Sequence, residues 1–285
     1  MVKFNKIAII GVGLIGGSIG LAIKKKRCAR EVIGVFRHKA TLKRALKHKA
    51  VDRGVMDLAS GVKDADLIIL AAPVHLIPSL AFTVLKNAKP GAIITDAGST
   101  KGWIVDRIEG LLKRSSNIYF VGSHPMAGSE HTGVEFAKND LFEGSPCIVT
   151  KTLRTNQKAI AKIAGFWRSL GGRVKVMSPA EHDRTTSLIS HLPHMVAFSL
   201  AGAVPGKDII CAAEGFRDTT RIASSDPELW ADIFLTNRKA VLDAGTLFNR
   251  YYAKLLKAVS KNDRRMTVNI LRHSKLKRDR YINAK

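Results

Sequence analysis

The residues of this chain that could do chemistry are gathered in a few small-residue loops and two histidine- and arginine-bearing stretches. Gly11, Gly13 and Gly16 stand in the G-x-G-x-x-G spacing directly after the apolar run Ile7-Ala8-Ile9-Ile10. Each glycine has a physical role in a dinucleotide site. Gly11 permits a tight turn out of a strand, Gly13 lets a pyrophosphate approach the backbone, and Gly16 lets the following helix pack closely. Leu14 and Ile15 lie in the same turn, where the free N–H groups of a helix start attract phosphate. The competing reading is a Gly-rich turn of another doubly wound protein. Two more loops are rich in small residues: Thr95-Asp96-Ala97-Gly98-Ser99-Thr100-Lys101-Gly102 and Gly122-Ser123-His124-Pro125-Met126-Ala127-Gly128-Ser129. Ser99 offers a hydroxyl, Lys101 a charge and His124 a ring that titrates near neutrality, which makes His124 a general-base candidate. A purely structural loop histidine is the equal alternative.

A third constellation is Ser190-His191-Leu192-Pro193-His194, followed by Gly215-Phe216-Arg217-Asp218-Thr219-Thr220-Arg221-Ile222. His191 and His194 are three apart and share a helix face if the helix tolerates Pro193. No carboxylate or cysteine partner is near them in sequence, so no metal site is expected. Arg217 and Arg221 are four apart and suit a carboxylate; ordinary surface charge is the alternative.

These groups need a scaffold, and the sequence supplies one. Strands are predicted at residues 7–10, 31–36, 66–71, 92–95, 118–121, 147–150 and 173–176. Helices are predicted between them at 18–27, 40–49, 76–85, 101–112 and 156–170. This alternation predicts a doubly wound Rossmann-type α/β sheet over residues 1–177. Beyond Ser178-Pro179 the β-branched alternation stops. Helices are predicted at 180–203, 208–224, 227–258 and 261–280, giving an all-α second domain over 178–285. That half is short for an independent core, so packing against a second subunit is expected.

The end of the second strand bears on the cofactor. An NAD site usually places a carboxylate there for the ribose hydroxyl. Here the residues are Arg37, His38 and Lys39, which would attract a 2′-phosphate, so NADP is favoured over NAD. Solvated loop charges are the alternative. Pro73 closes the third strand and joins the cofactor-binding set.

Lys+Arg 47 against Asp+Glu 23 gives a net charge of +24, which raises nucleic acid, anionic lipid or an anionic substrate as partners. The basic residues are spread along the chain and interleave with apolar ones over 254–280. They therefore read first as solvated helix faces, then as general steering of small anions, with no nucleic-acid partner expected. No run of 18 uncharged apolar residues is present, so no membrane partner is expected. The chain passes from MVKFNK straight into a strand, and no signal peptide is expected. Cys28, Cys147 and Cys211 are scattered without metal or redox spacing, which fits a reducing, cytoplasmic setting.

Taken together the blocks resemble the prephenate and arogenate dehydrogenases of tyrosine biosynthesis. The resemblance rests on G-x-G-L-I-G-G-S at 11–18, D-x-G-S-x-K at 96–101 and G-x-H-P-M-A-G at 122–128. It rests also on S-H-L-P-H at 190–194 and F-R-D-x-T-R-I-A-x-S-x-P at 216–227 with a tryptophan at 230. It implies oxidation of a cyclohexadienol at its 4-hydroxyl carbon, with hydride transfer to a nicotinamide, loss of CO₂ and aromatisation. In that light His124 corresponds to the base and Ser99 to the serine that contacts the same hydroxyl. Arg221 corresponds to an arginine for a substrate carboxylate, and His194 to a second pocket histidine with His191 close by. Asp218 is expected to pair with Arg221, and Ser225 and Trp230 to line the pocket. The helical half corresponds to a dimerisation domain. Neither a chorismate mutase segment nor a regulatory domain is expected. A β-hydroxyacid dehydrogenase or imine reductase of similar plan is the rival enzyme. A nicotinamide-sensing or nucleic-acid-binding protein without turnover is the rival of another class.

Overall fold

The computed structural model describes residues 3–112, 117–129 and 131–283. Residues 1–238 form one compact unit and residues 239–285 a second.

In the first unit, β1 (Phe4–Ile10), β2 (Ala29–Val35), β3 (Arg53–Val55), β4 (Leu67–Leu70), β5 (Ile93–Asp96) and β6 (Tyr119–Val121) form one sheet in the order β3-β2-β1-β4-β5-β6. Every pairing in it is parallel. Ile7, Ile9, Ile33, Leu67, Ile68 and Ile69 are fully buried. Such near-continuous apolar runs are what a parallel sheet needs when both faces are covered. The crossovers are α1 (Leu14–Lys26), α2 (Lys39–Lys47), α3 (Leu58–Val62), α4 (Ile77–Asn87) and α5 (Gly102–Leu111). The strand order reverses between β1 and β4, and this opens a crevice at their carboxyl ends, the usual ligand position in open α/β sheets.

The predicted strands at 147–150 and 173–176 do not join this sheet. They are part of β8 (Pro146–Thr150) and β9 (Arg173–Met177), which form a second sheet in the order β7-β8-β9. Its first strand, β7 (Ser123–Pro125), was predicted as loop. The cause is local. Gly122 follows β6, and a Cβ there would stand 2.5 Å from the Thr150 hydroxyl. The missing side chain lets Thr150 N–H donate to Gly122 O at 2.8 Å, so the chain turns out of one sheet and into the other. Helix α6 (Gln157–Ser169) buries Phe166 and Trp167 completely.

Ser178 marks the change to helices. Its hydroxyl caps α7 (Pro179–Thr186) by accepting from Glu181 N–H at 3.1 Å, with proline in the first turn. The predicted helix 180–203 is continuous but contains a π turn, Ser187–His191, before α8 (Leu192–Ala203). Pro193 has no N–H for the carbonyl of Ile189, and a widened turn accommodates that loss. The predicted helix 208–224 is instead α9 (Gly206–Ile209), α10 (Glu214–Thr220) and a 3₁₀ turn, Arg221–Ser224. None of these three pieces buries a residue, so no packing sustains one longer helix. The predicted helix 227–258 breaks at Asn237 into α11 (Pro227–Thr236) and α12 (Arg238–Ser260).

The second unit holds most of α12 and all of α13 (Arg264–Asn283), joined by a turn in which Asn262 has φ +50° and Asp263 accepts from Met266 N–H at 2.8 Å. Among the described residues no helix is long and apolar enough to cross a membrane.

Candidate active site

The glycine loop lies at the β1 end of the crevice. Gly11 has φ +90°, and a Cβ there would sit 2.4 Å from Ala71 O, just before Pro73 at the end of β4. A Cβ on Gly16 would fall 2.0 Å from Gly11 O. A Cβ on Gly13 would meet nothing within 4 Å. Thus two of the three glycines are required by the protein's own packing, and the third leaves open space beside the start of α1. Leu14 and Ile15 are the first residues of that helix, whose first-turn N–H groups have no partners within it. Its first turn carries no acidic residue. The cradle therefore fits a pyrophosphate. Arg37, His38 and Lys39 are exposed just past the carboxyl end of β2, with no carboxylate among them.

At the end of β5, Asp96 organises the next loop. Its carboxylate accepts from Gly98 N–H at 2.9 Å, from Ser123 N–H at 3.2 Å and from the Lys101 ammonium. Lys101 also donates to Ser123 O at 2.8 Å and is completely buried. It therefore ties β5 to β7 and does not offer its charge to a ligand, contrary to the sequence reading. Ser99 sits half-buried in this loop between fixed points. Gly98 is held by Asp96, the Thr100 hydroxyl lies 3.0 Å from that of Thr236, and Lys101 N–H donates to Asp183 at 2.8 Å. The Ser99 hydroxyl makes no hydrogen bond among the described residues.

His124 lies at the centre of β7, not in a loop, and is 8 % exposed. Its Nδ1 is 2.8 Å from Nε2 of His182, and Nδ1 of His182 is 2.8 Å from a carboxylate oxygen of Asp183. Asp183 also accepts from Lys101 N–H and Gly102 N–H, each at 2.8 Å. Burial first, and then His182, Lys101 and His191, hold His124 well below the ordinary imidazole value of 6.5. Burial lowers His182 as well, with Asp183 opposing the shift. Burial would raise Asp183, but the hydrogen bonds from His182 and the two backbone N–H groups bring it below the usual carboxylate value. The arrangement is a neutral imidazole backed by a neutral imidazole and a carboxylate.

The π turn and α8 bring the other histidines to Trp230. His194 stacks on its ring with centroids 3.5 Å apart, and His191 meets it edge-on at 6.1 Å. Asn237, whose buried side chain marks the break before α12, donates to Asp183 O at 2.9 Å and lies 3.2 Å from His191 Nδ1. With Nδ1 accepting, His191 carries its proton on Nε2, and this buried N–H has no partner. Burial, with His182 and His194 adding to it, lowers His191 to about 4 against the opposing charge of Asp183. His194 is lowered by burial and by the charge of Arg221.

Four other candidates lie on the helical segments after α9. Arg217 and Asp218 are exposed on α10, Arg221 is exposed at the start of the 3₁₀ turn, and Ser225 follows that turn half-buried. Among the described residues no ion pair joins Asp218 to Arg221, contrary to the sequence reading. Arg221 opens the 3₁₀ turn, so the α-helical spacing on which a pairing with Asp218 would depend ends there. No hydrogen bond among the described residues ties Arg217, Asp218 or Ser225 to the histidine cluster. Three residues the sequence reading missed are His182, Asp183 and Asn237, and it missed the structural role of Asp96. Asn237 had no distinct signal, since it stands in the polar run Thr236-Asn237-Arg238-Lys239. Among the described residues no group of three or more histidine, cysteine or carboxylate side chains is placed to hold a metal.

The chain matches two family models: the nucleotide-binding domain of prephenate dehydrogenase over residues 19–176, and the prephenate dehydrogenase dimerization domain over residues 178–273. It is 38 % identical to the prephenate dehydrogenase of Bacillus subtilis, covering 96 % of this chain and 75 % of that protein. It is 36 % identical to the cyclohexadienyl dehydrogenase of Zymomonas mobilis, covering 92 % and 91 %. Among solved structures it resembles Aquifex aeolicus prephenate dehydrogenase in complex with hydroxyphenyl propionate and NAD⁺, with a TM-score of 0.90 and 31 % identity over 98 % and 99 % of the two chains. It also resembles Synechocystis arogenate dehydrogenase, with a TM-score of 0.82 and 30 % identity over 97 % and 99 %.

Proposed function

The chain belongs to the prephenate dehydrogenase family, and from that membership we propose that it oxidatively decarboxylates a cyclohexadienol, prephenate or arogenate, with His124 as the base. The observation that carries the reading is the buried, neutral His124, held through Nδ1 and 8 % exposed, in the same unit as the pyrophosphate cradle. A neutral ring is what proton abstraction from the 4-hydroxyl requires. The bound nicotinamide supplies the acceptor for the hydride that leaves the same carbon. As the ring carboxylate departs as CO₂, its bonding electrons flow to the oxygen, which takes back the proton held by His124. Ser99, with its hydroxyl unengaged, orients the substrate hydroxyl. Arg221 and His194 take the substrate carboxylates, and Trp230 walls the ring. His191 presents its unpartnered N–H, a donor suited to an anionic oxygen. Arg217, Asp218 and Ser225 belong to the rim of this pocket.

The cofactor reading is NADP, supported by Arg37, His38 and Lys39 in place of a carboxylate. The test is formation of reduced cofactor at 340 nm with each substrate against each cofactor. No turnover with either substrate overturns the activity. Arg37→Asp is expected to move preference towards NAD, and an unchanged preference removes Arg37 from the 2′-phosphate site.

The protein is proposed to act as a homodimer in a cytoplasmic setting. Leu242, Phe248, Tyr252, Leu256, Val259 and Leu271 are exposed on α12 and α13, an apolar area suited to a second copy. Light scattering that gives a monomer mass of 31.1 kDa would overturn the dimer.

A further inference from the structure

We propose that His182 and Asp183 are positioning residues that fix His124 as its Nδ1–H tautomer and so leave the lone pair on Nε2 for the substrate. The inference rests on His124 being the base, and it follows from donor and acceptor counting along one chain of hydrogen bonds. The Asp183 carboxylate only accepts, and it already takes two backbone N–H groups and the Nδ1 of His182. His182 therefore carries its proton on Nδ1. Neutral, as its burial requires, it presents a bare Nε2 to His124 at 2.8 Å. His124 must then be the donor, through Nδ1. Its other nitrogen is left as a base, with no rotation of the ring needed.

The same chain stabilises the product of the proton transfer. When Nε2 takes the hydroxyl proton, the substrate O–H bond breaks and the His124 ring becomes an imidazolium. Its Nδ1–H still points at His182, whose own N–H rests on the charge of Asp183. Lys101, buried beside Asp96, and His191 are the other titratable groups whose charge reaches His124. Neither is hydrogen-bonded to the ring, so neither selects its tautomer. His182 and Asp183 lie 58 and 59 residues from His124 in sequence, on the first turns of α7, so the helix start and β7 must both be in place before the base is set.

The test uses the whole protein labelled with ¹⁵N-histidine, with the His124 signals assigned by their loss in His124→Asn. The expected spectrum shows a protonated Nδ1 and a bare Nε2 at pH 7.5, read without substrate or turnover. A protonated Nε2 in the unmutated protein overturns the proposal. This outcome is separate from failure of the activity assay, which tests the function itself. Asp183→Asn removes the charge that backs His182; its amide oxygen stays on the position shared by Lys101 N–H and His182 Nδ1–H, so the His124 proton is expected to remain on Nδ1 while kcat falls by about tenfold or more with the cofactor dissociation constant unchanged. Because Asp183 also holds the turn at Lys101 and Gly102, a second pair of variants avoids that turn. His182→Leu is expected to lose kcat to the same degree, and His182→Gln, whose amide oxygen accepts from Nδ1–H, to restore it to within about tenfold of the original. Equal kcat in the Leu and Gln variants would reduce His182 to a packing role.

Discussion

Two buried histidines in this protein are kept neutral for different ends. For His124, the proposed base, neutrality is the condition of proton abstraction. His124→Asn is therefore expected to lower kcat by about 10² to 10⁴, the usual worth of an acid–base group, and to leave cofactor affinity near the original. Steady-state rates beside a fluorescence titration with the nicotinamide cofactor check this, and intact turnover would remove His124 from the base position. For His191 the consequence is thermodynamic. Its value in the fold is about 4, against 6.5 ordinarily, so below pH 6.5 the unfolded chain takes a proton that the folded one refuses. The stability contribution is thus complete above pH 6.5 and is lost as the pH falls to about 4. At about 1.4 kcal/mol for each pH unit, the loss by pH 4.5 is on the order of 2 to 3 kcal/mol. Urea midpoints between pH 7.5 and 4.5 are expected to fall more steeply for the unmutated protein than for His191→Gln. Parallel profiles would mean that His191 protonates freely inside the fold.

At the scale of the element, the glycine loop separates folding from binding. Gly16→Ala would drive a Cβ to within 2.0 Å of Gly11 O, a backbone atom that cannot turn aside. It should cost about 1 to 3 kcal/mol or more and lower the melting temperature. Gly13→Ala meets no protein atom within 4 Å, so the melting temperature should hold while the KM for the nicotinamide cofactor rises about tenfold or more, by occupation of the space proposed for its pyrophosphate. Equal effects of the two substitutions on melting would show that Gly13 serves packing as well. This loop was legible in the sequence because its spacing, the strand before it and the helix after it are all local. The long buried strands were legible for the same reason. Arg53–Val55 and Ser123–Pro125 were not, since three residues carry no periodicity and a proline argues against a strand. The chain from His124 to Asp183 was illegible on other grounds. Glu181-His182-Asp183 reads as an ordinary polar first turn, and only the packing of α7 against α5 and β8 brings His182 to His124. The π turn at Ser187–His191 had a signal in Pro193, but a proline marks a disturbance without saying which kind.

The whole molecule adds a term that no single residue contains. The chain carries a net charge of +24, while the proposed substrate bears carboxylates and the cofactor phosphates. Fields of this size raise encounter rates with anions and are screened over about 10 Å at 0.1 M salt. Encounter is therefore expected to carry the salt dependence and the chemical step to be nearly free of it. Between about 20 mM and 0.5 M KCl, kcat/KM should fall by about tenfold while kcat changes little. Local contacts such as Arg221 with a carboxylate would also weaken in salt, so the slope alone does not isolate the field. The helix α13 separates the two. Arg272, Lys275, Lys277 and Arg278 lie on it, and replacing all four with glutamine lowers the net charge from +24 to +20 without touching a proposed site residue. If the field steers, this variant loses kcat/KM at low salt, keeps it at high salt and gives a shallower slope. An unchanged slope would assign the salt dependence to the few cations at the site itself, and leave the rest of the charge as solvated helix surface.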